Sequence, residues 1–332
     1  MNPKISVIMP YSDNAPALPE SIVSILTQDF QDFELLLIDN NSTDECHEIA
    51  TKYSNQDPRV KIVSMEEPGI VNALNEGIGI STGKYLAVMD QKDISDPQRL
   101  SLQYRFLEEN PEYGLAASCV RYIHDAEMQY DSYEYVNRIN QLITDTDIRI
   151  NLFIESPLVH STVMFRSELP GEHGAYRLGD FPEDYELWLR WIDRGVRMHK
   201  LKEQLLGWRD SSVRQFHNEE RYSVGSFFEL KTVYLYKWLR ENNPWHPHIV
   251  VWGAGRLSRQ RFALLNELGI DPKFFIDLHE NRNRNVIEQT RTPPAGRHFI
   301  VNYVTSPDAR SKIRDFLFQL GYIEGKDFIC IS

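Results

Sequence analysis

Short apolar runs separated by amphipathic segments set the pattern of the first half of the chain. Ile5 to Met9 is an apolar run stopped by Pro10, the mark of a buried strand opening into a loop. Leu18 to Thr27 follows with Ile22, Val23, Ile25 and Leu26 at helical spacing. Leu35 to Ile38 is a second buried run, ending at Asp39-Asn40-Asn41. Ser42-Thr43-Asp44-Glu45 reads as a capping box that opens a helix through Ile49 and Ala50, and Val60 to Val63 is a third short strand. A small-residue, Asn-rich helix over Ile70 to Ile80, a turn at Gly83 and the strand Leu86 to Met89 then lead to Asp90. Such alternation predicts βαβ units and an α/β fold with a mostly parallel sheet. Ligands are expected beyond Pro10, Asp39 and Asp90, where loops leave the carboxyl ends of strands.

At 332 residues the chain has room for two domains, and its 42% hydrophobic content fits neither a disordered nor a fibrous class. A formal charge of -12 argues against nucleic acid as a general partner, since phosphate backbones are bound by clustered Lys and Arg. Cys46, Cys119 and Cys330 are far apart and lack metal spacing, which suits buried thiols in a reducing compartment. The start, MNPKISVIMPYS, has too short an apolar run for a secretory signal, and no window approaches the roughly 18 apolar residues of a membrane span. The expected location is the cytoplasm, with peripheral contact at the inner face of the membrane left open. Oligomeric state is not legible.

Three loops carry a resemblance. P-Y-S after the first strand, IDNNSTDE after the second, and PGIVNALNEGI with TGKYLAVMDQKDIS around Asp90 resemble the nucleotide-sugar half of the family 2 glycosyltransferases, which have the GT-A fold. Downstream, NLFIESPLVHSTVMFR and FPEDYELWLRWIDRG resemble the acceptor half of that family, so the similarity runs in consistent order from residue 4 to 210. It implies a GT-A nucleotide-sugar-binding domain over residues 1–223. It also implies inverting transfer from a nucleotide-diphosphate sugar, expected to be UDP-linked, to a glycan or lipid-linked acceptor in surface polysaccharide synthesis.

Carried over residue by residue, the resemblance puts Pro10, Tyr11, Asp39, Asn72, Asp90, Gln91 and Lys92 on the donor. Asp39 matches the acid that hydrogen-bonds the base, commonly uracil, because a carboxylate accepts from a ring N–H. Its other reading is a cap on the following helix, a role that Ser42 fills better. Asn40 stands where the family often has a second Asp. Asp90 matches the first acid of the DxD element, but Lys92 replaces the acid that would hold Mn or Mg. An ammonium group offers a divalent ion no ligand. Three readings stay open: Lys92 meets the pyrophosphate itself, Asp93 with another ligand such as His217 holds a metal, or the site has lost chemistry and kept binding, or lost both.

Glu183-Asp184 corresponds to the element that supplies the inverting base; Asp184 takes that role here, with Glu183 as its alternate. Without the resemblance, two acids in a first helical turn favour the helix terminus electrostatically. His160 reads equally as a structural histidine at a strand start or as a ligand contact. Trp188, Trp191 and Trp208 suit either the core or sugar faces, with core the commoner use. Tyr130 to Arg149, polar and poorly periodic, predicts a mobile or acceptor-facing insertion.

Residues 224–247 read as a long helix and linker before a small Rossmann-like unit, 248–332. The strand His248 to Trp252 runs into Gly253-Ala254-Gly255, Ser258 stands where a third glycine would, and Asp277 ends the next strand near the position of a ribose-binding acid. Gly253, Gly255, Ser258 and Asp277 are thus candidates for an anion or nucleotide. So short a unit suits an interaction or ligand-sensing module better than an NAD enzyme. Two rivals to the transferase follow: a nucleotide-sugar or glycan-binding pseudoenzyme, motivated by Lys92, and a dinucleotide-dependent oxidoreductase centred on Gly253.

Overall fold

Seven consecutive buried residues make β1 (Ile5–Tyr11) the axis of the larger of two sheets. The computed structural model describes residues 2–123, 130–209, 220–281 and 285–332. After β1 the chain forms α1 (Leu18–Leu26), β2 (Phe33–Asp39), α2 (Cys46–Gln56), β3 (Val60–Ser64), α3 (Ile70–Ile80) and β4 (Tyr85–Val88). Next come β5 (Ile94–Ser95), α4 (Arg99–Glu109), β6 (Leu115–Ile123), α5 (Tyr130–Ile139) and α6 (Asp145–Asn151). A 3-10 turn at His160–Thr162, β7 (Met164–Arg166), α7 (Leu169–His173), α8 (Glu183–Asp193) and β8 (Met198–Arg209) complete this part.

The eight strands lie in the order β3-β2-β1-β4-β7-β6-β8-β5. Parallel pairing joins β1 to β2 and β4, β2 to β3, and β6 to β8, whereas β7 runs antiparallel between β4 and β6. The chain therefore steps outward from β1 in one direction and returns on its other side at β4, which opens a crevice at the carboxyl ends of these strands. One face of the sheet packs Ile5, Val7, Met9, Leu35 and Leu37 with Leu18, Ile22, Ile25 and Leu100 from the helices. On the other face α3 sits so close that a Cβ on Gly77 would lie 2.4 Å from Ile8 Cγ2, so only glycine fits there.

Pro10 does not end β1. The strand continues to Tyr11, and Pro10 lies past the last β4 pairing, Ile8 with Val88, where no ladder bond needs its missing N–H. Nor does Ser42 cap α2: the helix starts at Cys46, Asp44 Oδ1 accepts from Cys46 N at 2.9 Å, and the Ser42 hydroxyl is buried without a partner among the described residues. The segment 130–149, read from its sequence as a mobile or acceptor-facing insertion, folds as α5 and most of α6, anchored by buried Val136, Ile139 and Ile148. Trp188 and Trp191 are fully buried, which removes them as sugar-stacking candidates.

Clustering of contacts divides the chain into two units: Met1–Ile148 with Pro157–Gly179 and Glu183–Glu219, and Arg149–Ser156 with Asp180–Pro182 and Glu220–Ser332. The second holds α9 (Val224–Asn242), β9 (His248–Trp252), α10 (Arg256–Glu267), β10 (Asp271–Asp277), β11 (Val286–Glu288), β12 (Ile300–Asn302), α11 (Pro307–Gln319) and β13 (Phe328–Cys330). Its five strands are all parallel, in the order β11-β10-β9-β12-β13, around a core of Val250, Trp252, Ile276, Ile300, Leu317 and Phe328. Among the described residues, no helix is long and apolar enough to cross a membrane.

Candidate active site

The carboxyl ends of β1, β2 and β4 are tied together by polar side chains. Tyr11 and Asp39 are register partners, and Asn40 N donates to Tyr11 O at 2.9 Å. The Gln91 amide grips Ser12, accepting from its N–H at 3.0 Å and donating to its carbonyl at 2.9 Å. From α1, the Ser21 hydroxyl reaches the carbonyls of both Gln91 and Asp93, each at 2.8 Å. Two neighbouring strand ends are thereby held at fixed spacing, as a preformed site requires.

Asp39 is buried and already engaged. Its Oδ1 accepts from Ser42 N at 2.9 Å, and its Oδ2 lies 2.9 Å from His47 Nδ1. A carboxylate has about four lone-pair sites, so these bonds orient it without exhausting it. Burial, followed by the Asp39 charge, pushes the Tyr11 phenol well above its ordinary range. Asn40 Oδ1 accepts from Gly69 N at 2.7 Å and so fixes the entry to α3, whose first turn carries the partly buried Asn72.

Asp90 is partly buried and accepts from Lys92 N at 3.0 Å, which folds the loop into a tight turn. Asp93 points the other way. It is 1% exposed, with Oδ2 accepting from the Ser161 hydroxyl and Oδ1 from Arg209 N at 2.9 Å. Burial, then the charge of Asp90, push its carboxyl up to about 7. Among the described residues, no three of His, Cys, Asp and Glu gather in a way that could hold a metal ion. A pair of acids facing one divalent ion is not present in this turn, because Lys92 lies between Asp90 and an inward-turned Asp93. His217 lies outside the described residues.

The 3-10 turn joins this loop to the Glu183-Asp184 pair. Ser161 holds Asp93, while the adjacent His160 Nε2 lies 2.6 Å from the Tyr176 hydroxyl. Tyr176, fully buried, feels the charges of both Asp184 and Glu183. Glu183 is buried and Asp184 partly so; burial, then Glu183, push the Asp184 carboxyl up to about 7. Two adjacent acids at this depth cannot both ionise easily, so one of them is ready to take a proton near neutral pH. Fully buried Arg99 and Gln103 on α4 secure the turn by donating to the carbonyls of Val88, Val163, Ala116 and Thr162.

Hydrogen bonds and chain neighbours thus run from Asp39 and Tyr11 through Gln91, Asp90 and Asp93 to His160 and Tyr176 in the first unit, and the Tyr176 phenol feels the charges of Asp184 and Glu183. Gly253, Gly255, Ser258 and Asp277 belong to the second unit. There Gly253 turns with φ 102°, Ala254 N donates to Asp277 Oδ2 at 2.7 Å, and the Ser258 hydroxyl donates to Tyr303 O at 3.3 Å. Asp277 is therefore occupied in holding the glycine turn.

Asn75 and Tyr176 escaped sequence reasoning, and Arg209, whose Trp208-Arg209-Asp210 stretch resembles the closing loop region of related bacterial enzymes, was given no role of its own. Arg209 ends β8 beside the Asp90 loop and donates to Lys92 O at 3.0 Å and Glu20 Oε2 at 2.9 Å. Asn75 grips Tyr176, whose buried phenol feels the charges of the acid pair. The Asn-rich composition of α3 was the only signal for Asn75.

Comparison with known proteins identifies the family. Residues 6–169 match the family model described as Glycosyl transferase family 2. The chain is 30% identical over 245 residues to the O-antigen biosynthesis glycosyltransferase WbnJ of Escherichia coli, covering 69% of this chain and 91% of that one. Among solved structures, S. aureus TarS 1-349 in complex with UDP-GlcNAc aligns with a TM-score of 0.56 at 16% identity, over 80% of this chain and 71% of that one. The mannosyltransferase PcManGT from Pyrobaculum calidifontis, in complex with GDP-Man and Mn2+, aligns with a TM-score of 0.52 at 17% identity, over 73% and 64%. The structures speak for the fold; the sequence match, spanning 91% of the relative, speaks for descent. The chain belongs to glycosyl transferase family 2.

Proposed function

We propose that the protein is an inverting glycosyltransferase that moves a sugar from a nucleotide-diphosphate donor, UDP-linked in our reading, to a glycan or lipid-linked acceptor of a surface polysaccharide. The observation that carries this reading is the run from Asp39 through the Asp90 loop to Tyr176, whose phenol feels the charge of Asp184. In it, Asp39 accepts the ring N–H of the base, and the diphosphate lies over the turn of Asp90 and Lys92. The acceptor hydroxyl loses its proton to Asp184 as its oxygen attacks the anomeric carbon from the side opposite the departing nucleotide. Proton transfer of this kind contributes about 10²- to 10⁴-fold, and a carboxyl raised to about 7 is well matched to it.

Lys92, with Arg209 beside it, supplies the positive charge that the leaving diphosphate needs, in place of a divalent ion. The structure of PcManGT, by contrast, is a complex with GDP-Man and Mn2+. No step of the present reading passes through a metal ion. The relationship to the O-antigen enzyme supports the polysaccharide acceptor class. The test is UDP release from a set of UDP-sugars in EDTA: turnover that disappears in Asp184→Asn supports the reading. Equal turnover by that variant would count against it.

A second reading keeps binding and drops transfer, motivated by Lys92 in the DxD element. Calorimetry separates the two, since a pseudoenzyme binds UDP without releasing it from any UDP-sugar. The order of the second sheet, 3-2-1-4-5 when counted from β9, supports a Rossmann-like module there. With Asp277 bonded to Ala254, a sensing or interaction role suits that module better than a dinucleotide-dependent reaction.

A further inference from the structure

A side chain takes over where the pairing of β5 with β8 stops. β5 has two residues, Ile94 and Ser95, which pair with Gly207 and Leu206, so on this side of β8 the ladder ends at Gly207. Two residues further on, the Arg209 amide donates to the carboxylate of Asp93, to Oδ1 at 2.9 Å. The other oxygen, Oδ2, accepts from the Ser161 hydroxyl, and the Asp93 carbonyl accepts from the Ser21 hydroxyl at 2.8 Å. Asp93 is 1% exposed, so water does not compete for these bonds.

The guanidinium of the same arginine folds back on the Asp90 turn. Its Nη1 donates to Lys92 O at 3.0 Å and its Nη2 to Glu20 Oε2 at 2.9 Å. Lys92 precedes Asp93 in the chain, so two hydrogen bonds close a ring: Asp93 carboxylate to Arg209 backbone, and Arg209 side chain to Lys92 backbone. A long side chain held in this way has already given up much of the rotamer freedom that meeting a ligand would cost it. Its planar fork of donors is thereby aimed in advance.

We propose that Asp93 is a positioning residue for the diphosphate: by holding the Arg209 backbone against the Asp90 turn, it sets the Arg209 guanidinium beside Lys92, ready for the phosphate oxygens. The inference rests on the reading of Lys92 and Arg209 as the charges that meet the leaving diphosphate. It gives the last acid of Asp90-Gln91-Lys92-Asp93 a task other than holding a metal ion, since both its oxygens already accept from protein donors. Burial, then the charge of Asp90, push this carboxyl up to about 7, so its bond to Arg209 N needs a carbonyl-type oxygen and not a full charge. Asparagine has such an oxygen.

The test is calorimetry of UDP and UMP binding in EDTA, with the ratio of the two affinities as the readout, since only UDP carries the second phosphate. A change that merely loosens the fold weakens both nucleotides and leaves the ratio alone. Arg209→Ala should cut the ratio by about 10- to 100-fold, the size of hydrogen bonds to a charged group. Asp93→Ala should cut it by at least about 5-fold, and the double variant should lie within about threefold of Arg209→Ala, because the two residues act as one. Asp93→Asn keeps the oxygen and should stay within about threefold of wild type. An unchanged ratio in Asp93→Ala, or losses that multiply in the double variant, overturns the proposal. So does a UDP affinity that rises with Mn in wild type and not in Asp93→Asn, the mark of a metal ligand. If Asp93→Ala does not fold, Asp93→Ser decides: its hydroxyl still offers Ser161 a polar neighbour but is one bond too short for Arg209 N, so the ratio should fall as in the alanine variant, and an unchanged ratio overturns the proposal. A ratio that Arg209→Ala leaves at the wild-type value sinks the diphosphate assignment itself, and the proposal with it.

Discussion

Asn75 on α3 holds the backbone of Tyr176, a residue 101 positions later, through a two-point amide bond of 3.0 and 3.1 Å. The helix that follows the donor-side loops is thereby the support for the segment that carries Tyr176. Asn75→Ala should lower kcat/KM by about 10- to 100-fold, because small misplacements of catalytic groups are costly. It should cost only about 1 kcal/mol of stability and leave UDP affinity within a factor of about two. Steady-state kinetics with UDP calorimetry checks this, and a loss confined to UDP affinity would contradict it.

Asp184 is expected to cost the fold stability when ionised. Its folded pKa, about 7, lies above the roughly 3.9 of an unfolded Asp. Its contribution is therefore fully present below about pH 4 and is lost as pH rises through about 7. Asp184→Asn should match wild type at pH 4 and exceed it by about 1–2 kcal/mol at pH 8, a value discounted for partial solvent exposure. Turnover should fall at least about 100-fold. Urea unfolding across that range measures the first effect, and a destabilised variant at pH 8 would argue for a merely structural acid.

Glu34 shows the opposite sign. Burial alone would raise its carboxyl, but hydrogen bonds from Lys61, Ser6 and Thr82 outweigh burial and hold it below the ordinary range. The stability it lends is present above the unfolded value of roughly 4.3 and is lost as pH falls through the lower folded value. Glu34→Gln should cost about 1–3 kcal/mol at pH 7. The gap between the two proteins should narrow below about pH 4.

Lys92 decides how the leaving group is neutralised. In EDTA, Lys92→Ala should lose about 100- to 1,000-fold in turnover, the usual size of a lost charge-stabilising contact. Lys92→Asp should restore turnover only on addition of Mn. Activity in EDTA that survives both changes would remove Lys92 from the account.

Much of the fold was legible because hydrophobic period and loop chemistry agreed. The runs at Ile5, Leu35 and Leu86 are β1, β2 and β4, and the acids that follow them lie at one crevice. Local rules failed where tertiary contacts overrode them. Pro10 stays in its strand because the β4 ladder has already ended. Ser42 loses its capping role because Asp39 takes its N–H and the helix starts later. The direction of Asp93 was illegible, since it depends on Ser161 and on Arg209, 68 and 116 residues away. Tyr176 and Asn75 were missed for the same reason: nothing local distinguishes them, and their roles exist only once α3 and the segment before α8 meet.

The most direct test of the central claim is a crystal structure of the protein soaked with UDP. The account predicts the uracil N–H on Asp39, the diphosphate against Lys92 and the Asp90 turn, and Asp184 facing the open side of the terminal phosphate. Nucleotide bound at the Gly253 turn, or at the crevice with Asp184 turned away from the phosphate, would contradict it.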